Sequence, residues 1–359
     1  MKHIIKSGLA PLERYGRLGL TKTVAQREDG IRTGGDKGFY EWWYFDSHMD
    51  DGTSLVIVFY TKRMMSPEKP PAPYVTVDLD TPDGGHYEER VEIDGVSFSA
   101  SKEKCDVKVG DCYICGNLDE YEIYFKNPVI EVKARLKSNT PPWRPETGHI
   151  FFGDDDEKYF AWLPSVPEGD AEAEITLNGV TARHKGTGYH DHNWGNELMT
   201  RLMNHWYWGR AKAGGYQIIS SYITGEKKYG YKEYPVFMIA KDGAVLGDDA
   251  SKLTFEAEDE FIEPKTGKPV HNKLTYDYKD GAVRYKITYE RKSSVINYRM
   301  VDQLKGIKKF AAKLIGFDGA YHRFSGTVRV EKFDGEGLIE KVEAPALWEL
   351  MYFGHTPKN

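Results

Sequence analysis

The stretch Gly186-Thr-Gly-Tyr-His-Asp-His-Asn-Trp-Gly195 indicates the fold and the chemistry of this chain most clearly. Glycines bound it, and between them stand two histidines, a carboxylate, an amide, a tyrosine and an indole. Successive side chains of a β-strand point to opposite faces. An extended stretch therefore has two different faces: His190, His192 and Trp194 on one, and Tyr189, Asp191 and Asn193 on the other. No core requires this density of polar chemistry, so the stretch indicates a functional strand.

The same period of two, broken by turn signals, runs outward through most of the chain. Asp-Gly turns recur at residues 94–95, 242–243, 280–281 and 334–335. Strands are predicted within residues 53–61, 74–79, 121–125, 130–136, 173–177, 216–223, 234–240, 273–278, 283–289 and 326–332. Short strands with such turns are typical of antiparallel barrels or sandwiches. We therefore expect an all-β protein, with one domain in residues 1–200 and a second in residues 201–359.

Residues 301–315 depart from this pattern. Apolar side chains recur there at helical spacing, with Lys305, Lys308, Lys309 and Lys313 between them. The pattern predicts an amphipathic basic helix. We expect it to pack on a barrel with its lysines in solvent. A lid, or contact with an anionic membrane surface, is the alternative.

Composition excludes some classes of function. The 359 residues carry a formal net charge of −6, which argues against a nucleic-acid binder. The three cysteines, Cys105, Cys112 and Cys115, provide no disulfide framework and fit a reducing compartment. The N-terminus has no signal-peptide core, and no apolar run approaches the roughly 20 residues that span a bilayer. We expect a cytoplasmic protein.

Two further clusters are dense in aromatic residues: Tyr40-Glu-Trp-Trp-Tyr-Phe-Asp-Ser-His48 and His205-Trp-Tyr-Trp-Gly-Arg210. On a strand, Glu41, Trp43 and Phe45 of the first cluster share a face opposite to Trp42, Tyr44 and Asp46. If the strands of all three clusters are neighbours, they enclose an aromatic cavity. Such walls bind an apolar ligand and stabilise a carbocation. A carboxyl group buried there keeps its proton near neutral pH.

Two other interpretations remain open at this point. His190 and His192 are spaced to chelate one metal ion from a strand, with a third ligand from Glu41, His149 or His205. The clusters could also be structural, with Asp191 capping a tight turn. No nucleophile motif and no dinucleotide-binding glycine motif is present.

The motifs resemble a known group of proteins. Glu41-Trp-Trp-Tyr-Phe-Asp46 and Gly188-Tyr-His-Asp-His-Asn-Trp-Gly195 resemble the paired signatures of the carotenoid 1,2-hydratase (hydroxyneurosporene synthase)/AttH-like superfamily. That superfamily includes kievitone hydratase and lipocalin-like Diels–Alderases. The likeness extends to Tyr321-His-Arg-Phe-Ser-Gly326 and Trp348-Glu-Leu-Met-Tyr352. It implies two lipocalin-like β-barrel domains and acid-assisted chemistry with no redox cofactor and no metal. Shared fold does not determine the reaction.

The resemblance implies a hydratase that adds water across the C=C bond of an isoprenoid or polyene. Asp191 is expected to be the general acid or to orient His192 as the proton donor, with Glu41 and Asp46 as further acids. The pocket is expected to be lined by Trp43, Trp194, Trp208 and His190. Water is expected to be positioned by Tyr44, Tyr207 or Tyr222.

The sequence leaves the proton donor and the reaction class open. The strand that follows residues 205–210 has no carboxylate before Glu226, which leaves the identity of the proton donor in doubt. A cofactor-free isomerase or cyclase acting on a polyene, and a non-catalytic carrier of an apolar ligand, are the alternatives to a hydratase. A peripheral membrane contact and a homodimer are the further partners we consider.

Overall fold

A computed structural model describes residues 11–64, 66–93, 97–153, 156–304 and 317–353. The predicted all-β class is confirmed, since strands in two antiparallel sheets dominate these residues. The described residues divide into two compact units, one ending at Leu198 and the other beginning at Met199. This division lies beside the boundary predicted at residue 200.

The N-terminal unit begins with helix α1 (Pro11–Leu18) and a 3-10 helix (Gln26–Asp29). Its strands are β1 (Tyr40–Met49), β2 (Ser54–Tyr60), β3 (Tyr74–Asp80), β4 (His86–Glu92), β5 (Phe98–Ala100), β6 (Asp106–Val109), β7 (Cys112–Gly116), β8 (Glu120–Lys126), β9 (Ile130–Ser138), β10 (His149–Phe152), β11 (Lys158–Leu177) and β12 (Val180–Gly195). They form one sheet in the order β4-β3-β2-β1-β12-β11-β9-β8-β7-β6-β5, and β10 pairs with β11.

The C-terminal unit begins with the short helix α2 (Met199–Leu202). Its strands are β13 (Met203–Ala213), β14 (Tyr216–Gly225), β15 (Glu233–Lys241), β16 (Ala244–Gly247), β17 (Leu253–Ile262), β18 (Pro269–Asp280), β19 (Val283–Arg299), β20 (Ala320–Asp334) and β21 (Gly337–Tyr352). Short 3-10 helices occupy Lys227–Tyr229, Ala250–Lys252 and Met300–Gln303. The sheet order is β16-β15-β14-β13-β21-β20-β19-β18-β17.

Both sheets follow the same connection rule. The first strand of each unit pairs with the last, β1 with β12 and β13 with β21, and the two edge strands follow one another along the chain. This circular order lets one face of each sheet enclose a core, as in an up-and-down barrel. The long strands β1 and β12 thus lie at the centre of the N-terminal sheet.

The core of each unit consists of the side chains that point inward at alternate positions along the strands. In the N-terminal unit, Leu55, Ile57 and Phe59 of β2 are fully buried and face the core, whereas Ser54 and Val56 are partly exposed. Burying each such large apolar side chain contributes about 1.5–3 kcal/mol. The C-terminal core is richer in tyrosine, since Tyr276 and Tyr289 are each about 1% exposed within it.

A buried lysine joins two loops of the N-terminal unit. The side chain of Lys62 is about 1% exposed, and its Nζ donates to the carbonyl oxygens of Gly35 at 2.9 Å, Asp36 at 2.8 Å, Pro67 at 3.4 Å and Lys69 at 3.1 Å. Four carbonyl dipoles compensate for the lost hydration of the ammonium group. Lys62 therefore holds the loop before β1 against the loop before β3.

Most of the predicted helix at residues 301–315 lies outside the described residues; a 3-10 helix ends at Gln303. Cys112 and Cys115 lie on β7, as a strand segment with free thiols. No helix among the described residues is long and apolar enough to cross a membrane.

Candidate active site

The centre of the N-terminal sheet carries two chemically different faces. Residues of β12 pair with β1 on one side and β11 on the other: His192 lies opposite Trp43 and Leu163, and Asp191 lies opposite Tyr44 and Pro164. The predicted alternation is therefore present. We define the Asp191 face by Tyr44, Asp46, Trp162, Tyr189, Asp191 and Asn193, and the His192 face by Glu41, Trp43, His190, His192 and Trp194.

The carboxyl group of Asp191 is the centre of the Asp191 face. Its Oδ2 accepts hydrogen bonds from Trp162 Nε1 and from the hydroxyl of Tyr189, both at 2.8 Å. Its Oδ1 accepts a hydrogen bond from Asn193 Nδ2 at 2.6 Å. Donors from two strands thus fix the plane of the carboxyl group, and 6% of the residue remains exposed.

Burial raises the pKa of Asp191 to about 6, although the hydrogen bonds from Tyr189, Trp162 and Asn193 oppose the shift. Burial and the neighbouring Asp191 also raise the pKa of Tyr189 well above its usual value. The phenol therefore stays neutral and keeps donating. A carboxyl group with a pKa near neutrality can give and take a proton in the physiological range.

A second carboxylate lies beside Asp191. Asp46 is 5% exposed, and its Oδ2 accepts a hydrogen bond from the hydroxyl of Tyr44 at 3.2 Å. Asp46 lies opposite Tyr189 in the strand register, and Tyr44 lies opposite Asp191. The two acids are therefore diagonal neighbours, a relation that separates residues by about 7–8 Å. Two carboxyl groups in different surroundings suit acid–base work.

Strand β11 is irregular beside these residues. Its register with β12 shifts between Pro164 and Val166 and again before Gly169, next to Asp191 and His190. Bulges are over-represented next to active sites because they redirect side chains.

On the His192 face, the imidazole of His192 is held by hydrogen bonds and ring stacking, and Asp191 is not among its partners. His192 Nδ1 donates to the carbonyl oxygen of Glu28 at 3.2 Å, and Nε2 is hydrogen-bonded to Glu41 Oε1 at 2.7 Å. The ring stacks on Trp43 at 4.6 Å and contacts Trp194 at 4.7 Å. The expectation that Asp191 orients His192 is wrong, because strand alternation puts the two side chains on opposite faces.

Glu41 joins this face to the N-terminal segment. Its two carboxylate oxygens accept hydrogen bonds from the backbone N–H groups of Arg32 and Thr33, at 2.6 and 2.9 Å, and from the Thr33 hydroxyl at 2.6 Å. Glu41 and His192 are each about 0% exposed. Both side chains help to hold residues 28–33 against the sheet.

His190 lies next to His192 on the same face. Its Nδ1 donates to the carbonyl oxygen of Tyr44 at 2.8 Å, and Nε2 lies 3.2 Å from Asp29 Oδ2, which also accepts from the Tyr121 hydroxyl. Burial alone would raise the pKa of Asp29 and lower the pKa of His190. Their mutual attraction and hydrogen bonding outweigh burial, so the pKa of Asp29 is lowered and that of His190 is raised.

The third aromatic cluster lies in the other unit. Tyr207 and Trp208 are on β13 and Tyr222 is on β14, and β13 pairs with β14 and β21 rather than with β1 or β12. Among the described residues, the strands of the third cluster therefore pair within their own sheet and not with the strands of the first two clusters. Strand β14 carries no carboxylate, and the Glu226 side chain that follows it accepts from the Lys227 N–H.

Several residues of these faces were not found from the sequence. Trp162 stands in an apolar strand, and nothing in its spacing indicates a donor to Asp191. Glu28 and Asp29 precede the first signature, and Tyr121 and Arg144 lie between the two signatures. Arg144 Nε donates to Glu28 Oε2 at 2.7 Å, and both side chains are buried. Glu28, Asp29 and Arg144 are charged residues outside the predicted strands, which was only a weak signal, and Tyr121 on β8 gave none.

Comparison with known proteins identifies the family. A family model described as Diels-Alderase-like matches residues 36–345. The chain belongs to the Diels-Alderase-like family. The matched region includes both signature stretches and most of each unit, and the resemblance to the hydratase and Diels–Alderase superfamily is confirmed.

Two curated relatives are quinolone epoxide rearrangement proteins. The protein asqO of Emericella nidulans is 25% identical over 222 residues, which cover 58% of this chain and 59% of asqO. The protein penF of Penicillium thymicola is 22% identical over 265 residues, which cover 66% of this chain and 70% of penF. The match to the first relative thus spans less than two thirds of its length.

Solved structures show the same fold at low identity. CghA with Sch210972 has a TM-score of 0.61 at 13% identity, covering 93% of this chain and 97% of that chain. Kievitone hydratase from Nectria haematococca has a TM-score of 0.52 at 14% identity, covering 92% of this chain and 96% of that chain. The lipocalin-like architecture that the resemblance implied is thus shared across these proteins.

Proposed function

We propose that this protein is an enzyme that uses Asp191 as an acid–base catalyst on an apolar small molecule, in a reaction of hydratase or isomerase type. The single observation that carries the proposal is the carboxyl group of Asp191, which is buried, aligned by three donors and has a pKa of about 6. General acid–base catalysis by a positioned group contributes about 10²–10⁴-fold.

Hydration is the first form of the reaction. A protonated Asp191 gives its proton to one carbon of a prenyl or polyene double bond, and the cation forms at the more substituted carbon. Trp162 and Tyr189 meet the carboxyl group through their N–H and O–H groups, and Tyr44 packs against Tyr189. A cation over the face of any of these rings would be stabilised. Water then adds to the cation and its proton returns to a carboxylate, so that Asp191 or Asp46 is left protonated.

Rearrangement is the second form, and the names of two relatives favour it. The quinolone epoxide rearrangement proteins asqO and penF are named for a reaction in which an epoxide is the starting group. Protonation of an epoxide oxygen by Asp191 would open the ring and leave a carbocation, which the same aromatic side chains would stabilise. The cation is then quenched within the molecule, and the proton returns to the carboxylate without a net uptake of water.

The test uses the full chain with two probe sets, prenyl or polyene alkenes and quinolone epoxides, in ¹⁸O-labelled water. Mass spectrometry separates the two forms, since only hydration puts the label in the product. The Asp191→Asn variant should lose about 10²–10⁴-fold in turnover with its fold intact. Glu336→Gln, an exposed substitution in a turn of the other unit, should keep the turnover of the wild type.

Full turnover by Asp191→Asn would exclude Asp191 as the acid. A wild-type chain that binds these probes without converting any of them would instead favour a carrier of apolar ligands. In that case the affinity of Asp191→Asn should equal that of the wild type.

A further inference from the structure

A cluster of metal-ligating side chains lies on the interior side of the N-terminal sheet, away from the Asp191 face. One ligand atom each from Asp29, Cys105 and His190 lies within 4.8 Å of the others. All three residues are at most 1% exposed. The chemistry proposed for Asp191 uses none of them.

The imidazole of His190 is oriented as metal-bound imidazoles usually are. Its Nδ1 faces the carbonyl oxygen of Tyr44 at 2.8 Å, which can only accept, so Nδ1 carries a hydrogen and Nε2 points at Asp29. A backbone carbonyl on the far nitrogen is the usual outer partner of a metal-bound histidine, because it fixes the ring and its tautomer.

One oxygen of the Asp29 carboxylate lacks a hydrogen bond. Oδ2 accepts from the Tyr121 hydroxyl and lies near His190. Oδ1 is buried and accepts no hydrogen bond from any of the described residues, and His192 Nδ1 lies 3.7 Å from it, beyond hydrogen-bond distance. A buried carboxylate oxygen without a hydrogen bond is costly. A cation bound to this carboxylate would reduce that cost.

The distances suit an ion as well as a hydrogen bond. His190 Nε2 and Asp29 Oδ2 are 3.2 Å apart, longer than the 2.7–2.9 Å typical of charge-assisted pairs. Two ligand atoms at about 2.0–2.1 Å from a tetrahedral ion are about 3.3 Å apart. The Cys105 sulfur is 3.9 Å from the Ile114 carbonyl oxygen, a contact at the limit of a hydrogen bond, so the sulfur is available.

From this geometry we infer that Asp29, Cys105 and His190 form a structural site for one divalent transition metal ion of the zinc class. Oxygen, thiolate and imidazole ligands suit Zn²⁺. The ion replaces the proton between Nε2 and Asp29 and the thiol proton of Cys105. Two ligand anions then balance its charge, which a buried site requires.

The site joins three separate parts of the unit. Asp29 ends the 3-10 helix, His190 lies on β12, and Cys105 precedes β6. The segments already meet there, since the Ile31 N–H donates to the Ser101 carbonyl oxygen at 2.8 Å. Drawing the farthest ligand pair together by about 1 Å would close the site. The ion therefore enters during folding and stabilises the folded unit.

The experiment compares two buried cysteines in the full chain. Three proteins are unfolded in denaturant with a chelator present and are then refolded with Co²⁺ after the chelator is removed: wild type, Cys105→Ser and Cys112→Ser. The near-ultraviolet thiolate-to-cobalt absorption is then recorded, with the stoichiometry from mass spectrometry of the metal. Cys112 is as buried as Cys105 but outside the cluster. We expect about one ion per chain and a thiolate band in wild type and Cys112→Ser, and no band in Cys105→Ser.

Folded wild type without the band, or a band that survives in Cys105→Ser, overturns the inference. If Cys105→Ser does not fold, X-ray absorption of Zn²⁺-loaded wild type tests the inference instead, because the inferred site requires one sulfur atom at about 2.3 Å from the ion. Asp191→Asn should keep the band, so failure of the metal site and failure of the proposed catalysis are separate results.

Discussion

The sharpest consequence of the Asp191 geometry concerns stability rather than turnover. Asp191 is held in a place where its ionised form is disfavoured, with a folded pKa of about 6 against an ordinary 3.8. The Asp191→Asn substitution removes the charge and keeps the shape. We expect the variant to lose activity and to unfold at higher denaturant concentration than the wild type at pH 8.

The sign follows from proton linkage. Between pH 3.8 and about 6 the folded chain binds more protons at Asp191 than the unfolded chain does, so wild-type stability falls as the pH rises through this window. The difference of about 2 pH units corresponds to about 3 kcal/mol at 1.36 kcal/mol per unit. Below pH 3.8 the carboxyl is protonated in both states and this contribution vanishes.

The hydrogen bonds can be rebuilt in the variant. The amide oxygen of Asn at position 191 can accept from Trp162 and Tyr189, as Asp191 Oδ2 does at 2.8 Å. The Asn193 amide, which now donates at 2.6 Å, can turn over and accept from the new amide nitrogen. The loss of the buried charge therefore dominates the change in stability.

The assay is urea denaturation of wild type and Asp191→Asn at several pH values from 4 to 8, with midpoints and slopes compared. The free energy of unfolding of Asp191→Asn should exceed that of the wild type by an amount that grows from near zero at pH 4 to about 3 kcal/mol at pH 8. Glu336→Gln removes a charge from the exposed end of a hairpin and should change stability by less than about 0.5 kcal/mol. A gain for Asp191→Asn that is equal at pH 4 and pH 8, or absent at both, would refute the reasoning.

Three further predictions rest on particular contacts. Trp162→Phe removes a donor at 2.8 Å from Asp191, so the pKa of Asp191 should rise further, and the alkaline limb of the pH–rate profile, where the acid loses its proton, should move to higher pH. Arg144→Met leaves the buried Glu28 carboxylate without its charged partner. Urea denaturation should show that the free energy of unfolding falls by about 3–5 kcal/mol, and a fall below about 1 kcal/mol would contradict this role for Arg144. Lys62→Met removes one donor from each of four carbonyl oxygens, and hydrogen exchange in the two loops that Lys62 joins should accelerate while β12 stays protected.

Strand alternation and turn chemistry are local properties, and they made much of the fold predictable. The period of two across residues 186–195 assigned Asp191 and His192 to opposite faces before any contact was known, and the register of β12 agrees. Adjacent strands in one sheet bring the two N-terminal signatures together, as expected from their shared chemistry. The family resemblance followed from the same residues.

What only tertiary structure decided is which groups meet on each face. Pairing of β12 with β11 brings Trp162 to Asp191, and burial there sets the acid's pKa near 6. Pairing of β12 with β1 gives His192 its partner Glu41 rather than Asp191, and the return of residues 28–33 to the sheet adds the carbonyl oxygen of Glu28. The contacts of His192 join residues more than 150 positions apart, and the contact of Trp162 with Asp191 joins residues 29 positions apart. Local periodicity carries no information on them, because burial and long-range pairing exist only once the chain has closed its sheet.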